Sequence, residues 1–318
     1  MKFAPALSLV AAAVILGGCL PTGSTTGVGA LPEAGSALAR ATAQTSGDML
    51  YVSGSRDSQL LTYPAGKLLA TFGHGENALC SDKDGDIYMT GFRGVQVYKH
   101  GATSPYRTLT VPYDFVEDCS VDPTSGDLAV AVNCLSCQLG QPVTSLAIFH
   151  HARGNPKPYA AGLLGQHCGY DNAGNLFLSG LSNGAQFVEL RKGSKTFTPI
   201  SFNPAIPTDG HIQWDGHYLA IENVGGYGAQ PAIYQVTISG STGTVVGTTH
   251  LNGAYNALNA WIEGKRVIVA FIAAYYGVSR IGYWQYPEGG SLEKVLPDRR
   301  YRFHGVTGVT VSVAPNRR

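Results

Sequence analysis

Charge is scarce in this chain of 318 residues: 22 Lys and Arg stand against 21 Asp and Glu, together 14% of the sequence, for a net charge of +1. Average soluble domains carry about 25% charged residues. A chain without a basic surplus lacks the phosphate-neutralising face that nucleic-acid binding needs, so no nucleic-acid partner is expected. Methionine and tryptophan are also rare, at three each. Beyond residue 16 no apolar run is long enough to span a bilayer, which takes about 20 residues. What the chain does contain is 44% hydrophobic residues, enough to bury a large core and to exclude a disordered polypeptide. It also has 41 Gly, 17 Pro and 17 Tyr. Turn formers combined with β-favouring aromatics predict many short strands.

Lys2 is the only charge ahead of an apolar stretch from Phe3 to Leu16. That stretch is too short for a comfortable membrane span and fits the apolar core of a secretory signal. It ends in Leu16-Gly17-Gly18-Cys19, which resembles a bacterial lipobox. The resemblance implies cleavage after residue 18 and lipidation of Cys19. It also implies a chain anchored to a membrane outside the cytoplasm, in the bacterial cell envelope. Leu20 in place of Asp after Cys19 favours the outer membrane over the outer face of the cytoplasmic membrane. Residues 19–46, rich in Thr, Gly, Ser, Ala and Pro, read as a flexible tether.

From residue 47 to about 315 one pattern recurs: a Gly turn followed by a β-rich run. The copies start at Gly47, Gly85, Gly126, Gly174, Gly216 and Gly264, with an average spacing of about 43 residues, within the range of propeller blades. A second strand signal follows each copy, as in Val95-Gln96-Val97-Tyr98 and Phe187-Val188-Glu189-Leu190. Six copies predict an all-β, six-bladed propeller of four-stranded blades, stacked because no blade can bury both faces alone. Only a short polar segment precedes Gly47. The chain ends with an unaccompanied strand, Gly305 to Val313. That strand is predicted to complete blade one and remove an exposed sheet edge.

The unit Asp171-Asn172-Ala173-Gly174-Asn175-Leu176-Phe177 resembles the repeat of the NHL-type and gluconolactonase-like propeller superfamily. As a whole the chain looks like uncharacterised predicted bacterial lipoproteins with this repeat. The enzymes of that superfamily hold a divalent metal near the axis with Glu, Asn and Asp. Two signatures associated with them, Glu-Gly-Pro and Ser-Pro-Asp-Gly, are absent here. Polar residues do occur where the innermost strands begin, which in a propeller is one mouth of the central channel: Glu76, Asn77, Glu117, Asp118, His167, His211, Asn256, Asn259 and His304. Too few are carboxylates for a hard-metal site, so neither metal, cofactor nor catalytic residue is assigned. Tyr113, Phe115, Tyr227, Tyr255, Tyr275 and Tyr276 fall in loops on the same face and suit sugar rings or peptides. Three motif matches are set aside. Asp82 to Asp86 lacks the Gly and Glu positions of a calcium loop. Gly180-Leu181-Ser182-Asn183-Gly184 precedes a strand and not a helix. Trp214-Asp215 lacks the Gly-His partner of a WD repeat.

Besides Cys19 there are five cysteines. Cys119 and Cys168 hold matching positions in the innermost strands of blades three and four, and Cys134 and Cys137 lie near the same face. In an oxidising compartment disulfides among these four are the expectation. A four-thiolate zinc site and a redox pair are the alternatives, and Cys80 is expected to stay unpaired. The reading is of a monomeric, non-catalytic binding or scaffold module whose ligand is a protein, peptide or carbohydrate. A metal-dependent hydrolase of the gluconolactonase-like type is the alternative.

Overall fold

A computed structural model describes residues 47–73, 77–133, 144–182, 184–226, 228–275, 277–296 and 305–315. The signal segment, Cys19 and the tether lie outside them, as do Glu76, Cys134, Cys137, Tyr227, Tyr276 and His304. Among the described residues nearly every element is a strand. The exception is a single 3-10 turn, His150–Ala152. No helix there is long and apolar enough to cross a membrane.

In chain order, β1 (Met49–Gly54), β2 (Ser58–Thr62) and β3 (Leu68–Phe72) form an antiparallel meander. Six strands follow in one sheet: β4 (Leu79–Ser81), β5 (Ile87–Tyr98), β6 (Arg107–Val121), β7 (Leu128–Asn133), β8 (Leu146–Phe149) and β9 (Lys157–Tyr159). The next sheet has β10 (Leu164–Tyr170), β11 (Leu176–Ser182), β12 (Gly184–Leu190) and β13 (Thr198–Pro199). A fourth contains β14 (Ser201–Asn203), β15 (Ile212–Trp214), β16 (Leu219–Asn223), β17 (Ala232–Ser239) and β18 (Thr242–Asn252). The fifth has β19 (Asn256–Glu263), β20 (Arg266–Ile272), β21 (Ser279–Gln285) and β23 (Lys294–Val295), with β22 (Gly290–Ser291) pairing in parallel to β18. The last strand, β24 (Val306–Ser312), returns to β1 and pairs with it antiparallel, Leu50 opposite Val311 and Val52 opposite Val309. The C-terminal strand therefore closes the first sheet on its inner side, as the unaccompanied run at the end of the sequence predicts.

The arrangement is propeller-like, but it departs from six separate four-stranded blades. The strands hydrogen-bond into five sheets, and one joins what the repeat presents as the second and third units. The cause is the length of β5 and β6. Both run on through the point where a blade would end, and Phe92 still pairs with Phe115. The joined sheet is bent upon itself: Cys80, Val95 and Val97 from its first part pack against Val116, Cys119, Leu128 and Phe149 from its second.

Side-chain alternation explains why the sheets stack. In β1, Leu50 and Val52 face Ile268, Ile281 and Tyr283 of the fifth sheet, whereas Met49 and Tyr51 face Leu79, Ile87 and Met89 on the other side. The same two-sided burial continues through the later sheets. Along the inside, β24 packs against β4, β4 against β6, β6 against β10 and β10 against β15; the fourth sheet meets β19 through β16, and β19 meets β24. The succession returns to its start. Neighbouring inner strands approach closely enough to demand glycine: a Cβ on Gly169 would lie 2.5 Å from the Ile212 carbonyl oxygen. The turn glycine Gly85 has φ +81°, and a Cβ there would meet the Val313 carbonyl oxygen at 2.5 Å. Both conformation and space thus require glycine in that turn.

Candidate ligand site at the channel mouth

The inner strands carry a local device that the residue pattern did not disclose. β6, β10 and β19 each shift register at the mouth end, between Val116 and Asp118, Gly165 and His167, and Ala257 and Asn259. A bulge inserts one unpaired residue, and such irregularities re-aim side chains. The bulges fall at the polar pairs Glu117-Asp118 and Gln166-His167 and at Leu258-Asn259.

The outcome is a cavity of about 270 Å³ lined by Asn77, Glu117, His167, Asn259 and Thr307, with Ala78, Leu258 and Val306 as its apolar portion. Four of the nine residues singled out in the sequence therefore share one cavity. Asp118 and His211 lie behind it, buried. Asn256 bridges to Gly225 and is not among the cavity's lining residues. The cavity amides are held by backbone. Asn77 Nδ2 donates to the Val116 carbonyl oxygen at 3.1 Å, and Asn259 Oδ1 accepts from the Val309 N–H at 2.8 Å. Glu117 Oε1 accepts from Asn133 Nδ2 at 3.2 Å.

Beneath the cavity lies a buried charge network. Asp118 Oδ1 accepts from the Cys119 N–H at 2.8 Å. Its Oδ2 is 2.9 Å from His211 Nδ1 and 3.4 Å from His167 Nδ1. His211 in turn donates its backbone N–H to Glu222 Oε2 at 3.1 Å, while buried Glu222 Oε1 has no partner. Burial works to raise the Asp118 carboxyl, but the charge and hydrogen bond of His211, with His167 close by, outweigh it and hold the group down at about 2. Burial likewise opposes a charged His211, yet the attraction of Asp118 prevails, through charge and hydrogen bond, and its value is raised. Glu222 is raised, with burial outweighing the pull of His211. Asp118 and His211 thus form a buried pair in which each favours the charged form of the other, the carboxyl lowered and the imidazole raised. The only clue to Glu222 is a carboxylate directly after the apolar run Leu219-Ala220-Ile221.

Around the mouth, Phe92 meets Phe115 edge to face at 5.5 Å, and Tyr255 meets Tyr275 at 5.8 Å. Phe92 is 66% exposed and Tyr275 is 56% exposed. Arg93 lies over the Phe92 ring.

The cysteines depart from expectation. Cys80 of β4 and Cys119 of β6 form the disulfide, with Cα atoms 5.8 Å apart, and Cys168 is a buried free thiol. Cys80 was expected to be the unpaired one. The physical reason is that β4 and the end of β6 are adjacent inner strands, which places Cys80 across from Cys119. Cys168 instead packs among Ala129, Ala131, Leu176 and Leu178. Its burial, together with the nearby Asp118, pushes the thiol well above its ordinary range, so it is inert.

No family model matches the chain, and no curated protein matches it. Solved structures do. A protein of unknown function from Bacteroides caccae superimposes with a TM-score of 0.60 at 10% identity, over 84% of this chain and 99% of that one. Kuenenia stuttgartiensis hydrazine synthase superimposes with a TM-score of 0.51 at 12% identity, over 76% of this chain and 74% of that one. These likenesses concern the fold.

Proposed function

We propose that the chain is a lipid-anchored, monomeric binding module of the bacterial cell envelope, built as a six-bladed ring. Its ligand, a carbohydrate or peptide, enters at the channel mouth. The joined sheet counts as two blades in this reading, because an apolar seam divides it as other seams divide the remaining sheets. The observation that carries the proposal is the cavity in which Asn77, Glu117, His167, Asn259 and Thr307, each from a different stretch of chain, converge; Phe92 and Tyr275 add exposed rings, each edge-on to a neighbouring ring. Amides, a carboxylate and an imidazole match hydroxyls and amides of a sugar or peptide, and the rings suit flat apolar faces. Thermal-shift screening against peptidoglycan fragments and oligosaccharides tests it, since a ligand that binds only the folded state raises its melting temperature. A stabilising ligand whose effect disappears in Glu117→Gln and His167→Gln supports the mouth. Ligands that stabilise both variants equally well place binding elsewhere. Palmitate labelling of the wild type but not of Cys19→Ala tests the anchor.

A hydrolase of the gluconolactonase-like type, dependent on a metal, is the second reading. It is favoured by His167, an imidazole lining the cavity with Asp118 3.4 Å behind it. Against it, no three His, Cys, Asp or Glu donors among the described residues of the mouth come within 4.8 Å of one another. Lactone and ester hydrolysis assayed with Mg²⁺, Ca²⁺, Mn²⁺ and Zn²⁺ decides it: turnover lost in His167→Gln supports this reading, and no turnover with any of the four ions ends it.

A further inference from the structure

At the opposite end of the third unit, away from the mouth, the turn that opens β7 meets the turn that closes β8. Asp127, His150 and His151 each present a donor atom there, and the three atoms lie within 4.8 Å of one another. We propose that this cluster is a binding site for a divalent transition-metal ion of the zinc type. His150 Nδ1 and Asp127 Oδ1 are 3.0 Å apart. Two ligands each roughly 2.1 Å from one ion subtend about 90° at that separation. Two imidazoles and one carboxylate suit zinc, nickel, copper or cobalt better than calcium or magnesium, which take oxygen ligands. Three protein ligands leave further coordination positions for water or an incoming anion.

The repeat supplies an internal control. In the second unit the corresponding turn carboxylate, Asp86, pairs with Lys99 at 2.8 Å, and the chain continues through His100 to Gly101. In the third unit His150 stands where Lys99 does, His151 follows where His100 does, and Ala152 replaces Gly101. The lysine of one unit is thus exchanged for a histidine in the next, which gives the third unit two adjacent histidines beside its turn carboxylate. The backbone carries a cost for this: His151 and Ala152 have φ of +46° and +50°, the left-handed region that Gly101 occupies without a side chain at +72°. The conformation is held from outside. His151 donates its backbone N–H to Asp127 Oδ1 at 2.8 Å, its ring Nδ1 lies 2.6 Å from the Ser125 carbonyl oxygen, and Arg107 Nη1 donates to the Ala152 carbonyl oxygen at 3.0 Å. Anchored ring orientation is what metal-ligating histidines require of their surroundings.

The test is calorimetric titration of ZnCl₂ into the full chain, purified without a histidine tag and stripped with chelator. One equivalent is expected to bind, and His150→Lys is expected to weaken binding by at least roughly a hundredfold, the upper limit of what loss of an outer-shell partner costs. That variant recreates the Lys–Asp pair of the second unit, so its melting temperature should match the wild type and exclude misfolding as the cause. His151→Ala should weaken binding in the same way, and His217→Ala should not. Unchanged zinc affinity in His150→Lys overturns the proposal. So does loss of zinc binding in His167→Gln, which would place the ion at the mouth.

Discussion

The two ends of the ring are built on opposite plans. At the turn end, one device is copied from unit to unit. The carboxylates of Asp82, Asp122, Asp171 and Asp215 each accept from a backbone N–H two residues ahead, at 2.7–2.9 Å. These are local bonds within four or five residues, and solvent reaches most of them. At the mouth end the bulge recurs in three strands, but the side chains mostly differ: Asn77, Glu117, His167, Asn259 and Thr307 line one cavity, and Asp118 joins His211, His167 and two backbone N–H groups across separate units. Repetition secures the turns; divergence, concentrated where the strands converge, makes the cavity. A group shared among several strands should therefore matter more to stability than any one copy of the turn.

Removing β24 should have the largest effect. Val306, Val309 and Val311 are buried, and each contributes about 2 kcal/mol when removed from water. Deleting residues 305–318 should therefore abolish the cooperative thermal transition. A truncated chain that melts like the full one would show that the inner strand does not hold the ring. Next comes the disulfide. Its 39-residue separation implies about 4 kcal/mol of unfolded-state constraint in the chain-entropy picture. Denaturant unfolding of Cys80→Ser/Cys119→Ser measures it, and non-reducing peptide mapping should recover the Cys80–Cys119 linkage.

Third is the buried network. Asp118→Asn leaves His211 buried without its counter-charge and should cost about 3 kcal/mol near pH 6. Because the His211 value is raised on folding, its contribution is complete below about pH 6.5, the unfolded value, and fades as pH rises through the folded one. Glu222, also raised, adds to the decline from lower pH. Asp118, depressed, contributes above about pH 4, its unfolded value, and loses that contribution only as pH falls toward about 2. Melting temperatures of the wild type should thus fall as pH rises above about 6.5, and Asp118→Asn should flatten that slope. A slope of equal steepness in the variant would remove His211 and Asp118 from the account. Fourth is one copy of the turn. Asp171→Ala removes bonds to the Ala173 and Asn175 N–H groups and should cost about 1 kcal/mol. A loss as large as that of Asp118→Asn would erase the contrast between the two ends. Smallest is Glu117→Gln, expected to leave stability within about 0.5 kcal/mol while removing ligand binding.

The strand-turn repeat, the all-β class and the closing role of the last strand were legible in the residues, because period-two alternation and positive-φ glycine turns are local properties. The mouth was legible in part: the starts of inner strands are recognisable, so Asn77, Glu117, His167 and Asn259 could be grouped before their cavity was seen. Glu222 and Phe92 were not, since one faces inward from an apolar strand and the other sits in a hairpin that continues a sheet. The cysteine pairing was misplaced for the same reason. Matching positions in the repeat suggested Cys119 and Cys168, whereas packing of adjacent inner strands joined Cys119 to Cys80.

By itself the sequence determined which segments are strands, where they turn and which residues stand at the ends of the inner ones, because φ preference and apolar period act within a few residues. Only the tertiary structure decided which inner strands are neighbours, which sulfurs bond, and which carboxylates are buried beside which imidazoles. Those outcomes depend on distances between chain segments 39 to 93 residues apart, set jointly by all the seams that close the ring.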